Sequence, residues 1–159
     1  MFARKFIDHV DTHADHLCGE FMEKIGRSDK CRELLHRVPA EEQKQTTREI
    51  YSHLTDWLLS KTDSVTEKHY VSLGMRRAEQ GVPFSELFWA VCATREYFWE
   101  YTERETLLDE PADFWGGVRL LHSLDRFFDR VLYFVTIGYE TVAKDDLGRA
   151  AVVAMKKQA

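Results

Sequence analysis

Apolar residues recur along this chain at steps of three and four, and no segment alternates apolar with polar positions as a half-buried strand does. The pattern predicts helices from end to end. Phe6, Val10, His13, Leu17 and Phe21 make the inward stripe of a first helix, which Gly26 is placed to end. Ser28 is placed to cap a short second helix carrying Leu34 and Leu35. That helix must stop before Pro39, whose ring disfavours helical geometry in the residue ahead of it. A third helix, starting near Pro39, turns Ile50, Leu54, Trp57 and Leu58 inward. Its first half, EEQKQTTRE, reads as a solvated face too polar to bury.

Ser64 and Glu67 have the spacing of a capping box, in which each side chain satisfies a backbone donor of the other residue. A fourth helix is therefore expected from Ser64 to Gly81, and Pro83 takes the first position of a fifth. The fifth is apolar on two sides, with Phe84, Leu87, Val91, Phe98 and Tyr101 in one stripe and Phe88, Cys92 and Trp99 in another. Such a helix belongs at the centre of a domain. A sixth begins at Pro111 and runs to Ala143, about 50 Å at ~1.5 Å per residue, against about 40 Å across a compact domain of this size. Its end should project or meet a partner. The expected fold is all-α, a single-domain bundle of about five to six helices over residues 1–143, with 144–159 a helical extension or connector.

Composition narrows the function more than the fold. A net charge of −5 offers no basic face for nucleic acid. No stretch approaches the roughly 20 apolar residues of a membrane span. Cys18, Cys31 and Cys92 have neither disulfide-framework nor zinc-knuckle spacing, which fits a reducing cytoplasm. Aromatic residues, at 13%, suffice to fill a sizeable core or line a pocket.

Few residues propose chemistry. His9, His13 and His16 share one sector of the first helix and motivate a metal-dependent enzyme, but catalytic metal sites take three protein ligands that converge, and helical neighbours do not ensure that. Glu33 and His36 form a lone Glu-x-x-His, while Glu49 and His53 stand four apart, so the paired motif of a di-iron bundle fails. No nucleophile, phosphate-loop or HExxH signature is present, and the chain is read as non-enzymatic. Arg95 shares a stripe with Phe88, Cys92 and Trp99, where its guanidinium stacks, meets an anion or snorkels to solvent.

The segment LGMRRAEQGVPFSELFWAV, followed by REYFWEY, resembles the N-terminal domain family of the bacterial stressosome co-antagonist RsbRD. Leu73, Gly74, Arg77, Ala78, Gly81, Val82 and Pro83 match its outline of a helix ending in glycine and a Gly-hydrophobic-Pro turn, and Tyr97, Phe98 and Trp99 follow at a suitable distance. The resemblance implies a sensory input module that relays a signal to a C-terminal output domain or partner protein. A small-molecule ligand bordered by Tyr70, Arg77, Phe88, Trp89, Cys92, Arg95 and Trp99 is the corresponding site expectation. No cofactor is required.

The same segment is similar to the proximal region of globin-coupled sensors, which implies a globin-like arrangement and, as an alternative function, haem-based gas sensing. The position of the iron ligand is then Arg77, and a guanidinium has no free lone pair for iron. A haem ligand would have to be His69, His53 or His122.

Assembly is the last expectation. Along the sixth helix Gly117, Leu121, Leu124, Phe128, Val131, Val135, Gly138 and Val142 alternate steps of four and three, the seam of a coiled coil. The run VLYFVTIGY is apolar nearly all round. A homodimer is expected, with Leu124, Phe128, Val131, Tyr133, Phe134 and Val135 at its interface. The competing explanation is a helix buried within one chain.

Overall fold

The computed structural model describes residues 2–60, 64–105 and 114–158. Its elements are α1 (Phe2–Gly26), a 3-10 turn (Asp29–Cys31), α2 (Arg32–Arg37), α3 (Ala40–Ser60), α4 (Ser64–Glu79), α5 (Phe84–Arg104) and α6 (Phe114–Gln158). No strand occurs among the described residues, and the chain forms one all-α helical domain. The cap expected at Ser64 and the start expected at Pro111 lie outside the described side chains and residues.

Local signals set the helix ends. The Ser28 side chain accepts from the Lys30 N–H at 3.3 Å and opens the 3-10 turn. At the end of α4, Gly81 takes φ +72, Gly81 N–H donates to Ala78 and Val82 N–H donates to Arg77, both at 3.0 Å. This pair of bonds closes a helix through a left-handed residue, the conformation glycine adopts without a Cβ clash.

α1 packs along α3, α4 along α6, and α5 joins the two pairs through α6. Tyr51, Tyr70, Phe98, Phe127 and Phe128 are fully buried where the pairs meet. Two inward expectations need correction. His13 is exposed, and Ala14 packs on the core in its place. The imidazole lies on the outer side of α1, stacked on His9 at 4.3 Å, where its polar edge stays hydrated. The polar first half of α3 is also not a solvated face, because Gln43 and Thr47 are buried on the stripe continued by Ile50, Leu54 and Trp57.

α6 has 45 residues, about 67 Å at ~1.5 Å per residue. Its seam is consumed inside the domain. Leu124, Phe128, Val131 and Val135 are at most 1% exposed in the single chain, so the expectation that these four face a second chain is overturned. The reason is that α4 and α5 both lie against α6 and cover that side. Phe134 is half-buried against the core, and Tyr133 on the outer side is exposed. Every described residue from Lys144 onward is exposed, so the helix outruns the body that supports it.

The tightest contact joins α4 to α6. A Cβ added to Gly74 would stand 2.1 Å from the Val135 carbonyl oxygen, and one added to Gly138 would stand 2.0 Å from the Val71 carbonyl oxygen. Each glycine is the seat for the other helix's backbone. One residue along, the Tyr139 hydroxyl donates to the Val82 carbonyl at 2.7 Å and fastens the α4–α5 turn to α6.

Candidate functional site

The residues before and after Gly74 on the same helix build the most distinctive site. Tyr70, Gly74 and Arg77 are spaced by four and three, so all three turn into the domain. For Arg77 this means a guanidinium that is 3% exposed. A charge so placed requires a counter-ion and hydrogen bonds. The polar half of α3 supplies Glu42 and Thr46 and the turn after α4 supplies Gln80: Nη1 donates to Glu42 and, at 2.8 Å, to Gln80 Oε1, while Nη2 donates to Thr46 Oγ1 at 3.0 Å. Glu42 also accepts from Arg76 Nε and Nη2 at 2.6 and 2.8 Å and from Gln80 Nε2 at 3.2 Å. The hydrogen bonds from Arg76, and then those from Arg77 and Gln80, overcome its partial desolvation and hold Glu42 at about 2. Burial pulls Arg77 the other way, below the usual guanidinium range.

Behind this network lies a cavity of about 60 Å³ bounded by α1 to α5. Ile25, Leu34, Ile50, Leu87 and Val91 give it an apolar wall, and Leu73 and Arg77 are the contributions of α4. The space is on the order of two waters' share of liquid volume. Its other polar lining is inward-facing threonine and glutamine: Thr46, Thr47 and Thr94 donate their hydroxyl protons to carbonyls of their own helices at 2.8–2.9 Å, and Gln43 Nε2 donates to the Val38 carbonyl at 2.7 Å.

Of the residues expected to border a ligand, only Arg77 lines this cavity. Tyr70 is fully buried one turn away, its hydroxyl 3.1 Å from His53 Nδ1. The second stripe of α5 serves another purpose. Trp99 Nε1 donates to Asp125 at 3.0 Å and Arg95 meets Asp129 at 3.5 Å, so this stripe is the polar seam against α6 and does not wall a pocket. Trp89 lies under the Lys30 ammonium at 3.7 Å, Phe88 is exposed, and Cys92 is half-buried. The binding-site expectation for Tyr70, Phe88, Trp89, Cys92, Arg95 and Trp99 is therefore replaced, because α5 lines the cavity with Leu87, Ala90, Val91 and Thr94, and Tyr70 of α4 is buried away from it.

The histidines fall into separate places. His53 and His69 meet edge to face at 4.5 Å, and His69 Nε2 is 3.2 Å from Glu49. Burial first, and the neighbouring His69 second, lower the pKa of His53. His122 lies apart, exposed on α6, and none of the three haem candidates lines the cavity. On α1, His9 faces Glu105 at 3.8 Å and His16 faces Glu20 at 3.7 Å, so His9, His13 and His16 do not converge on a point. No group of three His, Cys, Asp or Glu side chains among the described residues is arranged to hold a metal ion.

Glu42, Thr46 and Gln80 are the site residues that sequence reading missed. Two signals pointed to them: the core stripe of α3 extends back through Thr47 and Gln43, and an arginine on an inward face demands a carboxylate. Which of the chain's carboxylates answers it is a tertiary fact.

Residues 15–153 match the family described as the RsbT co-antagonist protein rsbRD N-terminal domain, a span that includes the Arg77 network, the α4–α5 turn and the packed length of α6. No significant match emerges among the curated proteins or the solved structures. The chain is accordingly a member of the RsbT co-antagonist rsbRD N-terminal domain family, a family of signalling and regulatory domains.

Proposed function

We propose that the domain performs no catalysis and acts as a cytoplasmic input module, passing a change at the Arg77 cavity to α6. The reciprocal seating of Gly74 and Gly138 carries this reading. α4 contributes Leu73 and Arg77 to the cavity, and between them Gly74 rests on the Val135 carbonyl with no side chain interposed. Side chains absorb small displacements by changing rotamer, whereas backbone in contact with backbone does not. A shift of α4 is therefore felt by α6 directly, and the Tyr139–Val82 hydrogen bond carries the α4–α5 turn with it. Residues 144–158 form the connector through which an output domain or partner protein receives the shift. No helix among the described residues is long and apolar enough to cross a membrane, in keeping with a site of action in the cytoplasm.

The relay is tested by crowding the cavity from the α4 side. Leu73→Phe should alter amide hydrogen exchange over Val131–Val142 of α6 as well as over α4. A change confined to α4 and the cavity wall would show that the two helices are not coupled.

Two chains pair, in this reading, along the outer side of α6. Tyr133 is 63% exposed and Leu147 72%, and with Ile137 and Met155 they lie in one sector opposite the buried seam. An isolated helical overhang of this length is marginal in water, and apolar side chains along it favour a covering partner. Equilibrium sedimentation at tens of micromolar should give a dimer that Tyr133→Glu converts to a monomer. A monomeric mass for the unmodified chain would end the pairing proposal.

A further inference from the structure

Arg77 has five N–H groups, and three of them donate to Glu42, Gln80 and Thr46. The N–H on Nε and the second on Nη2 have no acceptor among the described residues. Glu42 cannot supply one without giving up a bond, since its two oxygens already accept from Arg76, Arg77 and Gln80. Arg76 and Arg77 share the carboxylate of Glu42, and Glu79 is a further negative charge near Arg76. Around the cavity the Thr46, Thr47 and Thr94 hydroxyls donate to helix carbonyls, and one N–H of Gln43 Nε2 donates to Val38. A molecule entering there finds the threonine oxygens, the second N–H of the Gln43 amide, the unclaimed N–H groups of a buried cation and, beyond them, Ile25, Leu34, Leu87 and Val91.

The geometry points to a binding site for a small aliphatic monocarboxylate, its carboxylate on the Arg77 guanidinium and its hydrocarbon end against that apolar wall. A carboxylate suits the planar fork of a guanidinium, which it can meet with two oxygens. A neutral amide offers that fork one acceptor oxygen where a carboxylate offers two. Size sets the chain length. About 60 Å³ admits only the shortest acids as the cavity stands. Longer ones must displace Met22 or Leu73, both half-buried, and Leu73 belongs to the helix seated on α6. An acid of that length binds a widened domain better than the resting one, the difference in affinity that any ligand-driven shift requires.

The consequence for α6 rests on the reading of the domain as an input module, but binding itself does not. Sodium salts of straight-chain monocarboxylates from acetate to hexanoate, with the matching amides as neutral controls, are titrated into the purified chain at constant ionic strength. Calorimetry and the thermal midpoint report binding. The expected result is saturable binding that peaks at one or two chain lengths and raises the midpoint by about 5–10 °C at a hundredfold the Kd. The amide should bind at least tenfold more weakly. Ala90→Leu and Thr94→Ile, which fill the cavity without touching the Arg77–Glu42 pair, should abolish the response. Absence of saturable binding at tens of millimolar, equal binding of acid and amide, or full binding by both cavity-filled variants would overturn the assignment. Saturable binding with no change in α6 exchange would instead keep the site and refute the relay.

Discussion

Gly138→Ala is expected to be among the most damaging single-methyl additions this domain can receive. The new Cβ would sit 2.0 Å from the Val71 carbonyl oxygen and 2.8 Å from its carbon, and backbone cannot rotate aside as a side chain does. α4 and α6 must separate along their contact, which loosens Val131, Val135 and the turn held by Tyr139. Overpacking of this kind costs about 1–3 kcal/mol and more where the obstacle is rigid, so a loss of about 3 kcal/mol or greater is expected. Gly74→Ala, at 2.1 Å from the Val135 oxygen, should match it. Gly19→Ala is the internal control. Gly19 lies within α1 with nothing within 4 Å of the new methyl, and alanine there should stabilise by about 1 kcal/mol through helix propensity alone. Urea denaturation of the three variants decides the matter. Equal midpoints for Gly19→Ala and Gly138→Ala would mean that the helices are not seated on each other.

The second large effect is expected at Glu42. Removing it as Glu42→Ala strips Arg77, 3% exposed, of its anion while leaving Arg76 to repel it. Breaking a buried pair from one side costs about 3–5 kcal/mol, and the lower end applies here because Glu42 retains 20% exposure. Arg77→Met should cost less, since it removes the buried charge and leaves Glu42 paired with Arg76. The double variant should be more stable than Glu42→Ala alone. A loss under about 1 kcal/mol for Glu42→Ala would place the pair with ordinary surface salt bridges. The same carboxylate makes a pH signature. Its folded pKa, about 2, lies below its ordinary 4.5, so its contribution is complete above the ordinary value and is lost as the pH falls from there toward 2. The denaturation midpoint should drop across that window, and less steeply in Glu42→Gln.

Much of the architecture was legible because helix formation is a local matter. Steps of four and seven at Phe6, Val10, Leu17 and Phe21, a left-handed glycine at 81 and a proline at 83 need no knowledge of the rest of the chain to predict a helix, its end and the start of the next. The family outline lay in the same local signals around Gly74 and Gly81. His13 shows the limit of that reading. Two adjacent positions flank the middle of a stripe, and only the neighbouring helix decides that Ala14 goes in and the imidazole stays out.

Local pattern in the chain was enough for the helical type of the elements, about five to six of them, and for most core stripes, while Arg77 entered as a site candidate only through the resemblance. The tertiary structure alone decided which partners those faces meet. Glu42 and Arg77 are 35 residues apart, and while the α3 stripe leaves Glu41 in solvent, nothing local says that Glu42 beside it meets Arg77. The heptad of α6 specifies a face to be buried but not by whom, and α4 and α5 took the place reserved for a second chain. Gly74 likewise reads only as part of the family outline and Gly138 as a seam position until the two backbones are seen to touch through them. Periodicity is a property of one helix, whereas charge pairing and close packing are properties of two, and the second helix is chosen by the fold.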